Sequence, residues 1–127
     1  MATRFDHLAL LVRDLEASAR FYTTVLGLRE IPNSMGGTRV RWFDLGGGPR
    51  IHMQQGDLGA THLEKATHFA IAVSDFAATL AHLTAHGVPY ADMQGTPGAI
   101  NTRPDGMRAI FFQDPNGYWL ELNDSTG

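Results

Sequence analysis

Residues 5–28 read FDHLALLVRDLEASARFYTTVLGL. The first part is an apolar run of strand length, and after Asp14 the apolar residues recur at helical spacing until Gly27. Asp is favoured immediately before a helix, and Gly is favoured immediately after one. The stretch therefore predicts one strand followed by one helix that packs on a sheet.

The same pattern returns 61 residues further along the chain. Laying residues 5–25 over residues 66–86 gives six identities in 21 positions, and the second copy has Asp75 before its helical part and Gly87 after it. An internal repeat of this kind indicates a duplicated supersecondary unit. We therefore predict two βα units of one design.

Each predicted helix is followed by two shorter strand-like runs separated by turn residues. These runs lie around 38–45 and 50–54 in the first half, and around 107–113 and 119–123 in the second. A second offset, of 69 residues, lays residues 48–54 over residues 117–123 and places His52 on Glu121. The whole chain thus reads as two βαβββ modules.

Composition excludes several classes of protein. With 127 residues, 43 % of them apolar and 18 % charged, the chain predicts one folded domain rather than disorder. Ten Lys and Arg against thirteen Asp and Glu give 10 − 13 = −3 with no basic run, so we expect a small-molecule substrate, no nucleic-acid partner and no membrane. The apolar run at residues 7–12 is too short to span a bilayer, and we expect a cytoplasmic protein.

Histidines on the two repeated strands are candidate metal ligands. Cysteine is absent, so any metal site has to use His and carboxylates. In strand alternation His7 shares a face with small Ala9, and His68 shares a face with small Ala70. Under pseudo-twofold symmetry His7 pairs with His68, and His52 pairs with Glu121, so four ligand-type side chains occupy related strand positions and could converge on one point.

These residues resemble the vicinal oxygen chelate superfamily, which includes glyoxalase I, extradiol dioxygenases and bleomycin-binding proteins. The resemblance rests on the opening DHLAL at residues 6–10, the helix from Asp14 into FY at residues 21–22, and above all the closing FFQDPNGYWLE at residues 111–121. It implies an α+β fold in which residues 1–127 form a single domain of two tandem βαβββ modules, residues 1–60 and 61–127. Their curved mixed sheets would form an open barrel around a metal cleft.

The resemblance also implies a ligand set. His7, His68 and Glu121 match the family's two-His, one-Glu triad, and His52 stands where glyoxalase-type members have a fourth ligand, usually Glu or Gln. These donors suit one divalent ion per site, Zn, Ni, Co, Mn or Fe(II), without choosing among them. In isomerase-like members the residue matching Glu121 also moves the proton, which makes it the candidate catalytic residue.

Three activities follow from the resemblance. The first is a glyoxalase I-like lyase or isomerase in which the metal stabilises an enediolate of a substrate with vicinal oxygens. Leu11 and Gly56 replace the family's glutathione contacts, which puts glutathione as the substrate carrier in doubt. The second is Fe(II)-dependent extradiol cleavage of a catechol, and the third is non-catalytic binding of a drug or metabolite. Single-pair members commonly form dimers, so we expect a homodimer.

Five further side chains are candidates for substrate binding because their strands belong to the predicted sheets. They are Gln54, Trp119, Arg41, Arg108 and Phe112. Gln54 shares the face of His52, and Trp119 shares that of Glu121. The segment 92–106, rich in Gly and Pro, is predicted to be a loop beside the site.

Overall fold

A computed structural model describes residues 1–127, the entire chain. Contacts within it divide the chain into two compact units, Met1–Thr61 and His62–Gly127. Neither helix is long and apolar enough to cross a membrane.

The first unit is a βαβββ module. Its elements are β1 (His7–Val12), α1 (Leu15–Arg20), one π-helical turn (Phe21–Val25), β2 (Arg29–Ile31), β3 (Val40–Asp44) and β4 (Arg50–Gln55). The sheet order is β1-β4-β3-β2, with β1 parallel to β4 and the other neighbours antiparallel.

The second unit repeats that topology. Its elements are β5 (His68–Ala72), α2 (Phe76–Ala85), β6 (Asn101–Thr102), β7 (Arg108–Gln113) and β8 (Trp119–Asn123). The sheet order is β5-β8-β7-β6, with β5 parallel to β8. The predicted pair of tandem βαβββ modules is therefore confirmed, and β6 is a short strand inside the segment predicted to be a loop.

Each helix begins where its Asp predicts. The side chains of Asp14 and Asp75 accept hydrogen bonds from the backbone N–H groups of Ala17 and Ala78, both at 3.0 Å. The first helix departs from the prediction because its α-helical part ends at Arg20. The Thr23 hydroxyl donates to the Ala19 carbonyl at 2.9 Å, the kind of side-chain bond that accompanies a widened π turn.

The core lies where the strands bury their apolar face. In the first unit it contains Leu10, Val12, Tyr22, Phe43, Ile51 and Met53, and in the second Phe76, Leu83, Ile110, Phe112, Leu120 and Leu122. On β1 these residues alternate with exposed His7, Ala9 and Leu11. This is the alternation that the sequence predicts, and it leaves the histidine-bearing face of β1 outside the core.

Candidate functional site

Three rings stack on the exposed face of the first sheet. The register places Trp42 opposite His52, and the two rings are parallel with centroids 4.2 Å apart. His7 stacks with His52 at 4.0 Å. His52 therefore has its ring plane held by both neighbours.

The outer nitrogen of His7 is tied to a neighbour. Its Nδ1 lies 2.7 Å from Oδ2 of Asp6, and because an ionised carboxylate only accepts, Nδ1 carries the hydrogen. This hydrogen bond is the main reason why the pKa of Asp6 is lowered. The free nitrogen of neutral His7 is then Nε2, the tautomer that a metal ligand of this type uses.

His52 has a buried nitrogen without a protein partner. Its Nε2 is shielded from solvent and no protein group hydrogen-bonds to it. Burial lowers the pKa of His52, and the nearby charges of His7 and Arg50 lower it further. The imidazole is therefore neutral near pH 7 and can accept a proton or a metal at Nε2.

In the second unit, His68 and Glu121 face each other. Nε2 of His68 lies 3.3 Å from Oε1 of Glu121, and the two side chains are 20 % and 15 % exposed. Nδ1 of His68 donates to the carbonyl oxygen of Lys65 at 2.9 Å, which leaves a lone pair on Nε2 in the neutral ring. Two lone pairs at that distance repel each other, so the pair calls for a proton or a cation.

The other oxygen of Glu121 is also held. Nδ2 of Asn123 donates to Oε2 of Glu121 at 2.6 Å. The amide orientation of Asn123 is settled because its Oδ1 accepts from the Ser125 N–H at 3.1 Å. Asn123 is buried, and sequence reasoning did not assign it a role. Its position two residues after Glu121, on the same strand face, is the signal that could have found it.

The four candidate ligands thus come as two pairs, His7 with His52 in the first unit and His68 with Glu121 in the second. No group of three or more His, Cys, Asp or Glu side chains that could hold a metal ion is assembled.

A pocket of about 530 Å³ lies on the first unit. Its lining includes Ala9, Met35, Val40, Trp42, His52 and Gln54. This volume is within the range of small-molecule sites, and a mainly apolar wall with a few polar groups is typical of them. Two predicted site residues, His52 and Gln54, therefore share one pocket with Trp42.

Three of the predicted substrate-binding residues lie elsewhere. Arg41 donates to Glu30 through Nε and Nη2 at 2.8 and 2.7 Å and to Glu16 at 2.7 Å. It pairs with Met53 in the ladder, so it is on the face opposite Trp42.

Arg108 and Phe112 lie on the helix-covered face of β7. Arg108 binds Asp124 at 2.9 Å with its guanidinium over the ring of Phe76, and Phe112 is 2 % exposed. We do not carry Arg41, Arg108 or Phe112 into the proposed site.

The aromatic residue beside His68 is Phe111. It pairs with Glu121 in the ladder and packs edge-on against His68 with centroids 5.2 Å apart. Trp119 lies on the same face, and its Nε1 donates to the Leu63 carbonyl at 3.1 Å. The ammonium of Lys65 lies 5.0 Å from the centre of the Trp119 ring. Neither Phe111 nor Lys65 was among the residues predicted from sequence.

The departures from the glutathione contacts have a structural counterpart. A Cβ added to Gly56 would lie 2.6 Å from Cδ1 of Leu11, so the Leu11 side chain occupies the space beside Gly56. The two positions are neighbours at the ends of β1 and β4, and together they form an apolar contact rather than a polar one.

Comparison with known proteins supplies relatives of this chain. It is 31 % identical to the uncharacterized protein YwbC of Bacillus subtilis strain 168 over 128 residues, which is 96 % of this chain and 98 % of YwbC. Oxidase ChaP-H2 has a similar structure, with a TM-score of 0.81, 30 % identity and coverage of 98 % of this chain and 95 % of that one.

A more distant similarity extends to the fosfomycin resistance protein FosX of Mesorhizobium loti. The TM-score is 0.73 at 24 % identity, over 99 % of this chain and 95 % of FosX, which shows a shared fold.

Residues 4–122 match the Glyoxalase/Bleomycin resistance protein/Dioxygenase superfamily. This match covers nearly the whole chain, in agreement with the duplicated βαβββ architecture and the closing motif around Glu121. The chain belongs to that superfamily, which contains metal-dependent glyoxalases, dioxygenases and fosfomycin-resistance enzymes.

Proposed function

We propose that this protein is an Fe(II)-dependent oxidase of small aromatic substrates that carry two neighbouring oxygens, such as catechols. His7, His68 and Glu121 are the proposed ligands, and His52 is the proposed proton acceptor. The observation that carries the proposal is the His68–Glu121 pair, where a nitrogen and an oxygen lone pair face each other at 3.3 Å. A divalent cation would relieve that repulsion.

The donor atoms fit a metal ion. The hydrogen bonds from Nδ1 of His7 and of His68 leave Nε2 free on both rings. Oε2 of Glu121 is occupied by Asn123, so Oε1 remains as the donor. Two His and one carboxylate are the set used by non-haem iron oxygenases, although Zn, Ni, Co and Mn are compatible with the same donors. When bound, such an iron supplies Lewis acidity and redox chemistry towards dioxygen and the substrate.

His52 is suited to take a proton from a substrate hydroxyl. Its lowered pKa keeps the ring neutral, its Nε2 has no protein partner, and it lines the pocket beside Trp42. The stacked rings of His7 and Trp42 hold it in orientation. This role differs from the fourth-ligand position implied by the family resemblance, and the experiment below separates the two.

Two observations favour oxidation over isomerisation. A glyoxalase-type isomerase needs a base, and Glu121 could serve only by giving up the contacts that hold both of its oxygens. The similarity to a protein named as an oxidase points the same way. A glyoxalase-like lyase or isomerase is the second candidate, since the superfamily contains glyoxalases and the donors also suit Ni and Zn.

The test begins with metal-free protein. The protein is loaded anaerobically with Fe(II), and oxygen uptake is followed with a panel of catechols. In parallel, Ni- and Zn-loaded protein is assayed with the thiol adduct of a 2-oxoaldehyde. The variants are His68→Ala, Glu121→Gln and His52→Gln, with His82→Ala, on the exposed side of α2, as the matched control.

We expect catechol-dependent oxygen uptake that the His68 and Glu121 variants lose together with the metal. His52→Gln should keep the metal and lower kcat by about 10² to 10⁴, the usual contribution of a general base. Loss of metal in His52→Gln would instead make it a ligand. Isomerisation without oxygen uptake would favour the second candidate, and no metal binding at all would leave the non-catalytic binding class.

We also propose that the protein is a cytoplasmic homodimer. Members of the superfamily often dimerise, and that is the support for the proposal. Light scattering coupled to gel filtration should give about twice the 13.9 kDa chain mass. A monomer at micromolar concentration would contradict the dimer.

A further inference from the structure

Lys65 is the only lysine in the chain, since the other nine of the ten Lys and Arg residues are arginines. Its ammonium donates to two consecutive backbone carbonyls, those of Asp92 at 2.9 Å and Met93 at 3.2 Å. It also lies 5.0 Å from the centre of the Trp119 ring and 5.9 Å from that of Phe111. One side chain thus reaches three separate parts of the second unit.

The segment that carries Lys65 orients two residues of the candidate site. Nδ1 of His68 donates to the carbonyl of Lys65 itself, and Nε1 of Trp119 donates to the carbonyl of Leu63. Both bonds depend on where the backbone of residues 63–65 lies. This segment precedes β5 and belongs to no helix or strand, so the sheet ladder does not hold it in place.

The far end of the Lys65 contacts is anchored. Ala91 exchanges two backbone hydrogen bonds with Phe111, at 2.9 and 3.0 Å, and the Met93 N–H donates to Oδ1 of Asn101 at 2.8 Å. The Asp92 side chain in turn accepts from the Thr96 N–H. Asp92 and Met93 therefore present their carbonyls from a fixed position beside β7.

We propose that Lys65 is a positioning residue for His68 and Trp119. Its ammonium ties residues 63–65 to the anchored segment 92–93. The Lys65 carbonyl then holds the Nδ1–H tautomer of His68, and Nε2 faces Glu121. The catalytic meaning of this arrangement rests on the proposed function, but the effect on His68 belongs to the folded chain and does not.

A lysine suits this place better than an arginine. The ammonium is a compact donor whose three hydrogens can reach two adjacent carbonyls while it lies near two ring faces. The planar guanidinium has its donors in a rigid fork that matches carboxylates rather than consecutive carbonyls. Lys65→Arg is therefore expected to restore only part of what Lys65→Met removes.

The first experiment uses the full-length, metal-free protein labelled with ¹⁵N-histidine. Long-range ¹⁵N–¹H spectra report which ring nitrogen of His68 carries the hydrogen. We expect the Nδ1–H form in the wild type, a mixture of tautomers in Lys65→Met and an intermediate result in Lys65→Arg. Arg103→Met, which also removes one cation from the second unit, is the matched control and should match the wild type. An unchanged His68 spectrum in Lys65→Met would overturn the proposal.

A second approach avoids mutation in case Lys65→Met fails to fold. Because Lys65 is the sole side-chain amine, reductive dimethylation of the folded protein modifies it and the chain terminus alone. Dimethylation keeps the charge but leaves one donor hydrogen. It should shift the His68 tautomer in the same direction as Lys65→Met, and modified protein with an unaltered His68 spectrum would contradict the proposal.

The third measurement links the inference to the site. Mn²⁺ alone is titrated into the wild type, Lys65→Met and Arg103→Met. Loss of a group that orients a metal-binding histidine costs about 10 to 100-fold in affinity, so Lys65→Met should bind Mn²⁺ at least about tenfold more weakly. Equal affinity in the wild type and Lys65→Met would overturn the positioning role. If none of the proteins binds a metal, the proposed function fails, while a changed His68 tautomer still supports the role of Lys65.

Discussion

Asn123 selects which oxygen of Glu121 faces His68. Its amide is oriented by the Ser125 N–H on one side and donates to Oε2 of Glu121 on the other. The residue is 7 % exposed, so solvent cannot easily replace either bond. A neutral donor at this position is compatible with the ionised Glu121, whereas a second carboxylate is not.

Replacing Asn123 by Asp should therefore weaken the fold and the site together. The variant loses the donor to Glu121 and places two carboxylates in contact, for which we expect a loss of about 1–3 kcal/mol in the free energy of unfolding. Urea denaturation at pH 7 measures it. Asn101→Asp is the matched control, because Oδ1 of Asn101 accepts from Met93 and a carboxylate can do the same. Equal stability of the two variants would contradict the role of Asn123.

Among the elements, the two helices begin in the same way but differ in length. Asp14 and Asp75 each accept a hydrogen bond from the third residue after them. The first α-helix continues for six residues before its π turn, whereas α2 has ten residues and ends with Gly87 at a φ of 68°. Left-handed backbone of this kind favours glycine, so Gly87 stops α2 where the sequence predicts.

Removing the cap of α2 should cost stability without changing the site. Asp75→Ala leaves the Ala78 N–H without its side-chain acceptor, and we expect a loss of about 1 kcal/mol. Asp75→Asn retains an acceptor oxygen and should lie within a few tenths of a kcal/mol of the wild type. Thermal and urea unfolding give both values, and an undiminished stability in Asp75→Ala would refute the capping role.

For the whole molecule, the acid side of the stability curve has a definite sign. Hydrogen bonds from His7, from the Gly46 N–H and from the Arg108 N–H lower the pKa values of Asp6, Asp44 and Asp124 respectively. Arg41 lowers the pKa of Glu30. A carboxyl group whose pKa is lower in the folded state binds its proton later than it does in the unfolded chain. Its stabilisation is present above the unfolded value and is lost as the pH falls through the folded one.

The pKa of His52, lowered by burial, has the same sign. It favours folding fully above about pH 6.5, the ordinary pKa of histidine, and progressively less below it. All five groups therefore make the protein less stable in acid, first through His52 and then through the carboxyl groups below about pH 4.

Glu30→Gln isolates one part of that curve. It should flatten the fall in the free energy of unfolding between about pH 5 and pH 3, because the lowered pKa of Glu30 is removed. Urea denaturation over this range measures the slope. Glu64→Gln, at an exposed position, is the control and should follow the wild type, and a Glu30→Gln curve as steep as the wild type would contradict the assignment.

The sequence by itself determined the duplicated βαβββ plan and the face on which His7 stands. These follow from patterns that span ten residues or fewer: the strand alternation around His7, the Asp caps and the glycine after each helix. Such signals act locally, because they depend on the backbone conformation of consecutive residues. The closing motif around Glu121 added the family.

Only the tertiary structure decided which side chains surround the candidate ligands. A shift of one residue in strand register exchanges the two faces, so whether Phe111 or Phe112 lies beside Glu121 depends on the pairing of β7 with β8. Arg41 is likewise turned towards Glu16 and Glu30 by the pairing of its strand. The contacts of Lys65 join segments 27 to 54 residues apart, and long-range pairing of this kind is set by packing of the whole unit rather than by any local pattern.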